Sequence, residues 1–248
     1  MLSKSQISLV NSLQHKKYRK QQGLFMVEGL KSILEFIHSD YNIDTIFTTA
    51  EIAIQLPNLP QNIKILEINE QELKKISALQ NPQGIIALVK APTSHTILTN
   101  QVAKIHILLD GVQDPGNLGT IIRTANWFGY RHIYCSADTV DAYNPKVVQA
   151  TMGALSQVKI IYTDLKKLLV ECKLPVYAGL LQGKNIYHTT WKNAAFLLLG
   201  SEGKGISPDL LPFITHPVTI PGKGSTESLN VAVAAAIFCA EIQRNLDK

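Results

Sequence analysis

The sequence predicts an α/β protein built from two domains, and three observations carry that reading. Short β-type runs alternate with helical stretches along the whole of the 248 residues. One run, Ile105–Leu109, is apolar apart from His106 and lacks in/out alternation, as expected of a parallel strand covered on both faces. Several strands in the second part run straight into glycine-containing loops that lead to helices, the arrangement that places ligand sites at strand C-terminal ends. Hydrophobic residues at 46% against 17% charged supply material for a packed core and exclude a disordered or collagen-like chain.

Taken in order, Ile7–Leu13 reads as a helix, Leu24–Val27 as a strand and Leu30–Ile37 as a helix. Ile43–Thr48 and Ile63–Ile68 read as strands, Glu70–Ile76 as a helix and Gly84–Val89 as a strand. Ala91-Pro92-Thr93-Ser94-His95-Thr96 then breaks the pattern with small polar residues and a proline, so a linker is expected between about residues 90 and 104. The domains are accordingly residues 1–95 and 103–248.

The second domain opens on strand Ile105–Leu109. The turn Asp114-Pro115-Gly116 leads into a helix from about Asn117 to Phe128, with Ile121, Ile122, Ala125 and Phe128 as its apolar stripe and Gly129 at its end. Strand His132–Cys135 follows, and Asn144-Pro145 starts a helix with proline at its first position. Val158–Tyr162, Val176–Leu180, Ala195–Leu199 and Val218–Ile220 are strands, and Lys166–Cys172 is a helix. Ser207-Pro208 is a further helix start. Ser228–Leu246 reads as a terminal helix, apolar nearly all round in its first three turns, which calls for burial by the domain or by a partner subunit.

Charge is unevenly placed. The net charge is +5, and residues 1–31 carry Lys4, Lys16, Lys17, Arg19, Lys20 and Lys31 against the single acid Glu28. One segment therefore accounts for the whole excess, which points to a polyanion partner. The three cysteines, Cys135, Cys172 and Cys239, have neither CxxC nor metal-ligand spacing and read as free thiols of a reducing compartment. The longest apolar run, Leu229–Ala240, falls short of the ~20 residues a bilayer span needs. Residues 1–27 lack acids, as a cleavable leader would, but they hold one arginine and pass without a break into Leu24–Val27. A cytoplasmic location is expected.

Three loops carry the chemistry. Residues 108–130 pass from a strand through a glycine-containing loop into a helix whose free N–H groups favour anions, with Arg123 on the face opposite the apolar stripe. No GxGxxG is present, which disfavours a dinucleotide site. Residues 197–207 pass from Leu199 into Gly200, Gly203 and Gly205, which let backbone approach a ligand closely, and Glu202 sits at that strand end. Residues 219–236 contain Ile220-Pro221, then Gly222 and Gly224, with Ser228 as a plausible N-cap and Asn230 in the first turn of an apolar helix. Each loop alone is explained by ordinary turn and capping chemistry. Together they define a crevice at the strand ends of one domain.

The set Asn117…Arg123, Gly200-Ser201-Glu202-Gly203-x-Gly205, and Ile220-Pro221…Ser228-Leu229-Asn230-Val231 resembles the three signature motifs of the SpoU (TrmH-like) RNA 2′-O-ribose methyltransferases of the SPOUT superfamily. Residues 142–155, AYNPKVVQATMGAL, match the family's connecting segment, and residues 17–33 are similar to the RNA substrate-binding domain often fused ahead of it.

The resemblance implies a trefoil-knotted catalytic domain that binds S-adenosylmethionine without a metal. It implies a homodimer formed through that domain, and an RNA substrate, ribosomal rather than transfer RNA. By the same resemblance Leu199, Gly200, Gly205, Ile220, Pro221, Ser228 and Leu229 line the donor pocket. Arg123 activates the ribose hydroxyl, Asn117 positions Arg123 or the ribose, and Glu202, Ser228 and Asn230 order the site. Because a guanidinium stays protonated, electrostatic stabilisation of a developing alkoxide is easier for Arg123 than base action. Lys16, Lys17, Arg19 and Lys20 are expected to contact RNA phosphates. The alternative is a catalytically inactive RNA-binding protein of the same fold, against which the joint presence of Arg123, Glu202, Ser228 and Asn230 argues.

Overall fold

A computed structural model of the chain describes residues 1–92 and 105–246. The expected linker lies outside the described residues from residue 93 onward. The first elements in chain order are α1 (Lys4–Ser12), α2 (Lys16–Gln22), β1 (Leu24–Glu28), α3 (Leu30–Ile37), β2 (Ile43–Thr48), α4 (Ala50–Ala53), β3 (Lys64–Glu67), α5 (Glu70–Ile76) and β4 (Ile85–Lys90). Next come β5 (Ile105–Asp110), α6 (Pro115–Trp127), β6 (His132–Cys135), α7 (Pro145–Thr151), β7 (Lys159–Tyr162) and α8 (Leu165–Cys172). The chain closes with β8 (Val176–Asn185), β9 (Ala195–Gly200), β10 (His216–Thr219) and α9 (Val231–Leu246). Contacts divide these elements into two units, Met1–Ser94 with Asp141–Gln157, and His95–Val140 with Val158–Lys248. The segment carrying α7, which the sequence assigns to the second domain, thus groups with the first unit.

The first unit is a four-stranded sheet in the order β1-β4-β2-β3. β4 runs antiparallel to both β1 and β2, and β3 lies parallel to β2 at the edge. Period-two alternation along β1 sends Met26 to a face packed with Val10, Leu13, Phe47, Leu73 and Ile76. Phe25 packs instead with Phe36, Tyr41 and Tyr143, its ring centroid 4.7 Å from that of Tyr143. Capping boxes set the helix starts. Ser3 Oγ accepts from Gln6 N while Gln6 Oε1 accepts from Ser3 N, which begins α1 three residues before its apolar stripe. Asn69 and Glu72 do the same for α5.

Helix α2 is absent from the sequence-based expectation. Its residues, KKYRKQQ, show no apolar stripe, and what holds it is one buried arginine. Arg19, 4% exposed, donates from Nη1 to Leu13 O and Gln14 O at 2.8 and 2.9 Å, and from Nη2 to Asp141 Oδ2 at 2.7 Å. The expectation that Arg19 contacts RNA is therefore corrected: its guanidinium is spent inside the unit. Lys16, Lys17 and Lys20 are exposed.

The second unit is a six-stranded sheet in the order β10-β8-β9-β5-β6-β7, parallel throughout. β5 is buried along its whole length, as the unalternated run predicts. One core cluster joins Leu108, Tyr134, Ile161, Phe196 and Leu198 to Leu165, Leu168 and Leu169 of α8. Helix α6 buries Leu118, Ile121, Ile122 and Ala125, and α9 packs against α6 and β9.

Several boundaries differ from expectation. β8 continues five residues past Leu180, because Val218 and Thr219 pair with Lys184 and Asn185 across a register shift. Ser207-Pro208 starts a turn rather than a helix, and only a short 3₁₀ segment, Leu211–Phe213, follows. α9 begins at Val231 and not Ser228, since Asn230 Oδ1 takes the capping role by accepting from Ala232 N at 2.9 Å and Val233 N at 3.3 Å.

Candidate functional site

The site forms where β5 and β9, adjacent and in register from Ile105↔Ala195 to Asp110↔Gly200, reach their C-terminal ends. Asp110 is buried, and a buried carboxylate needs donors. It accepts from Ser207 N at 2.6 Å and so closes the loop that follows β9. Within that loop Ser201 and Gly205 exchange two backbone hydrogen bonds of 3.0 and 2.9 Å. A Cβ on Gly200 would stand 2.2 Å from the carbonyl carbon of Gly205, and Gly205 itself holds a positive φ of 66°. Both glycines are thus required by the turn itself.

The hairpin-like loop projects Glu202 toward the starts of α6 and α9. Asp114 caps α6 by accepting from Asn117 N at 2.8 Å, and Pro115 occupies the first helical position. The helix therefore starts two residues earlier than expected. Asn117 donates from Nδ2 to Glu202 Oε1. Asn230 donates from Nδ2 to the same Glu202 oxygen at 3.1 Å and to Asn117 Oδ1 at 2.9 Å. With Asn230 Oδ1 already capping α9, its amide is oriented at both ends. One carboxylate and two carboxamides thus tie three sequence-distant loops into a single junction.

Of the residues expected to carry the chemistry, Asn117, Glu202 and Asn230 are brought together. Arg123 is exposed in the third turn of α6, about 9 Å along the helix axis from Asn117, and makes no ion pair among the described residues. Ser228 is exposed and stands outside the junction. Of the expected donor-pocket residues, Leu199 is buried at the end of β9 and Gly200 and Ile220 are half-buried, while Gly205, Pro221, Ser228 and Leu229 are exposed.

Residues 221–229 are exposed and make no hydrogen bond among the described residues. Backbone donors and acceptors left open beside a glycine turn fit a ligand held through main-chain groups, as S-adenosylmethionine would be.

Asp110 and a neighbouring cluster were not foreseen. Ser136 Oγ donates to Asp138 Oδ1 at 2.6 Å and accepts from Gly111 N at 2.8 Å, while Thr139 Oγ1 donates to Leu109 O. An acid closing the apolar run Ile107-Leu108-Leu109 is the signal that identifies Asp110.

Known proteins share this architecture. The SpoU rRNA Methylase family model matches residues 104–240, and the MRM3-like substrate binding domain model matches residues 4–87. The chain is 31% identical over 230 residues to 23S rRNA (guanosine(2553)-2′-O)-methyltransferase RlmP of Bacillus subtilis, covering 91% of each. Among solved structures, a candidate RNA methyltransferase of the TrmH family from Porphyromonas gingivalis superposes with a TM-score of 0.89 at 39% identity, covering 98% of this chain and 99% of that one. An AdoMet-bound rRNA methyltransferase from Sinorhizobium meliloti superposes with a TM-score of 0.88 at 28% identity, covering 99% of this chain and 97% of that one. With a family model across more than half of its length and relatives aligned over nearly all of it, this chain belongs to the SpoU methylase family of RNA methyltransferases.

Proposed function

We propose that this enzyme methylates a ribose 2′-hydroxyl of ribosomal RNA in the cytoplasm, with S-adenosylmethionine as methyl donor. The observation that carries the reading is the Asn117–Glu202–Asn230 junction beside a strand-end loop whose backbone groups are open. Preference for ribosomal RNA is supported by the B. subtilis relative named above and by a second, RlmB of Neisseria meningitidis, which is named a 23S rRNA (guanosine-2′-O-)-methyltransferase and is 28% identical.

S-Adenosylmethionine supplies a methyl group already activated on its sulfonium sulfur. Gly200, Ile220, Pro221 and Leu229, with Leu199, Gly205 and Ser228, form the proposed cradle. Arg123 faces the developing charge: its guanidinium stays protonated and donates to the 2′-oxygen, while the hydroxyl proton passes to the RNA's own neighbouring phosphate as the oxygen takes the methyl from the sulfonium. Glu202 accepts from both carboxamides, which leaves Asn117 and Asn230 fixed in orientation for the ribose.

Residues 1–95 serve as the RNA substrate-binding domain and residues 103–248 as the methyltransferase domain, whose C-terminal segment threads the trefoil knot implied by the family resemblance. The enzyme works as a homodimer through α9. Support for this comes from Val233, 49% exposed, and from Ile237 and Ala240, which continue an uncovered apolar stripe along the helix. The test is transfer of labelled methyl to ribosomal RNA, with 2′-O-methyl mapping to locate the product.

A further inference from the structure

We propose that α2 presents a base-stacking platform, the Tyr18 ring with His15 and Lys17 beside it, for an unpaired nucleotide of the RNA. The proposal rests on the RNA-substrate reading and extends it from a phosphate grip to recognition of RNA form.

Tyr18 is 40% exposed on a helix whose next residue, Arg19, is among the most buried charges in its unit. The three hydrogen-bond partners of Arg19 prevent the helix from rolling, so the Tyr18 ring is held facing solvent. Lys17 Nζ lies 6.0 Å from the centroid of that ring, and the His15 ring meets it edge-on at 6.3 Å. Lys16 and Lys20, one helical turn apart and on the face of α2 away from Tyr18, are both exposed and leave phosphates within reach of the same helix. Nothing nearby in sequence cancels this charge. The only acid in the first 31 residues, Glu28, is buried and bonded inward to Ser77 Oγ and Ala78 N.

Cations alone suffice to hold phosphates, and they act on a duplex or a single strand alike. An exposed aromatic ring with one of them, Lys17, beside it adds a surface on which a splayed base stacks. Bases inside a duplex are already stacked and cannot use it. The combination of an outward ring with Lys17 and His15 beside it therefore selects RNA with unpaired bases.

The test uses the full chain, a short single-stranded oligoadenylate and a blunt RNA duplex of equal length, with Kd measured across a salt series. Tyr18→Ala is expected to weaken oligoadenylate binding by about tenfold or more, with an unchanged salt slope and unchanged duplex binding. Tyr18→Phe should bind as the parent does. Changing Lys16, Lys17 and Lys20 together to Ala should lower the salt slope on both probes by about 2–3. Unchanged oligoadenylate binding by Tyr18→Ala, or an equal loss on both probes, overturns the platform and leaves a phosphate grip only. Failure of the parent chain to bind either probe also overturns it. If methyl transfer to ribosomal RNA persists in that case, the substrate reading stands; if transfer is absent too, that reading falls with it.

Discussion

Arg123 stands exposed on α6 without an ion-pair partner among the described residues, whereas Arg244 is bonded to Glu241. A cation free of protein partners is what stabilisation of a transient oxyanion requires. Arg123→Ala is expected to reduce kcat for methyl transfer by about 10²–10³ while donor binding, measured calorimetrically, survives. Full activity in that variant contradicts the assigned role. Gly200→Ala should do the reverse, because its Cβ meets the Gly205 backbone at 2.2 Å and the turn must open: donor binding is lost while the melting temperature falls only modestly. The thiols give an independent check on packing. Cys135 and Cys239 are buried, and burial pushes the Cys239 thiol up to about 12, so native protein at mildly alkaline pH should be alkylated at Cys172 first. Asn117, Glu202 and Asn230 were picked out in the sequence by the resemblance of their motifs to those of the SpoU family. Their mutual bonding was not, because no local pattern records which loops meet.

At the level of the element, several helices and strands were legible from their apolar pattern. Leu30–Ile37, Ile43–Thr48, Glu70–Ile76 and His132–Cys135 are found as the pattern predicts. The misses have physical causes. α2 has no apolar stripe, and its anchor is an ion pair to Asp141, 122 residues away. Removing one partner of such a buried pair strands a charge, so Arg19→Ala should destabilise the protein by about 3–5 kcal/mol, whereas Lys16→Ala should leave the melting temperature unchanged. The start of α9 slipped from Ser228 to Asn230 because either residue type caps a helix, and only the tertiary position of Asn230 decides between them. Glu72 offers a pH test at the α5 cap. Backbone hydrogen bonds from Leu2 and then Asn69 hold its carboxyl below the usual range. Its stabilisation is present above the ordinary carboxylate value and is lost as pH falls through the depressed one. The stability difference between the parent and Glu72→Gln should therefore shrink on acidification into that range. A difference that grew on acidification would contradict the assignment.

Across the whole molecule, the basic segment 1–31 lies within one unit, although Arg19 is spent internally and acids elsewhere in that unit offset part of its charge. The second unit holds the junction and the open loop. The fold class and the parallel sheet were legible from the alternation of elements and from Ile105–Leu109. The grouping of α7 with the first unit was not, because Phe25 and Arg19 reach Tyr143 and Asp141 only through tertiary contact. A chain threading, such as the proposed knot, leaves no periodic trace in a sequence at all. Val233→Asp, which places a charge in the uncovered stripe of α9, is expected to convert a dimer to monomer in sedimentation equilibrium.

The most direct measurement is transfer of methyl from labelled S-adenosylmethionine to ribosomal RNA by the purified chain, followed by mapping of 2′-O-methyl sites. The predicted result is label at a ribose 2′-position of ribosomal RNA, abolished by Arg123→Ala without loss of donor binding. Label on a base, or RNA binding with no transfer, would contradict it.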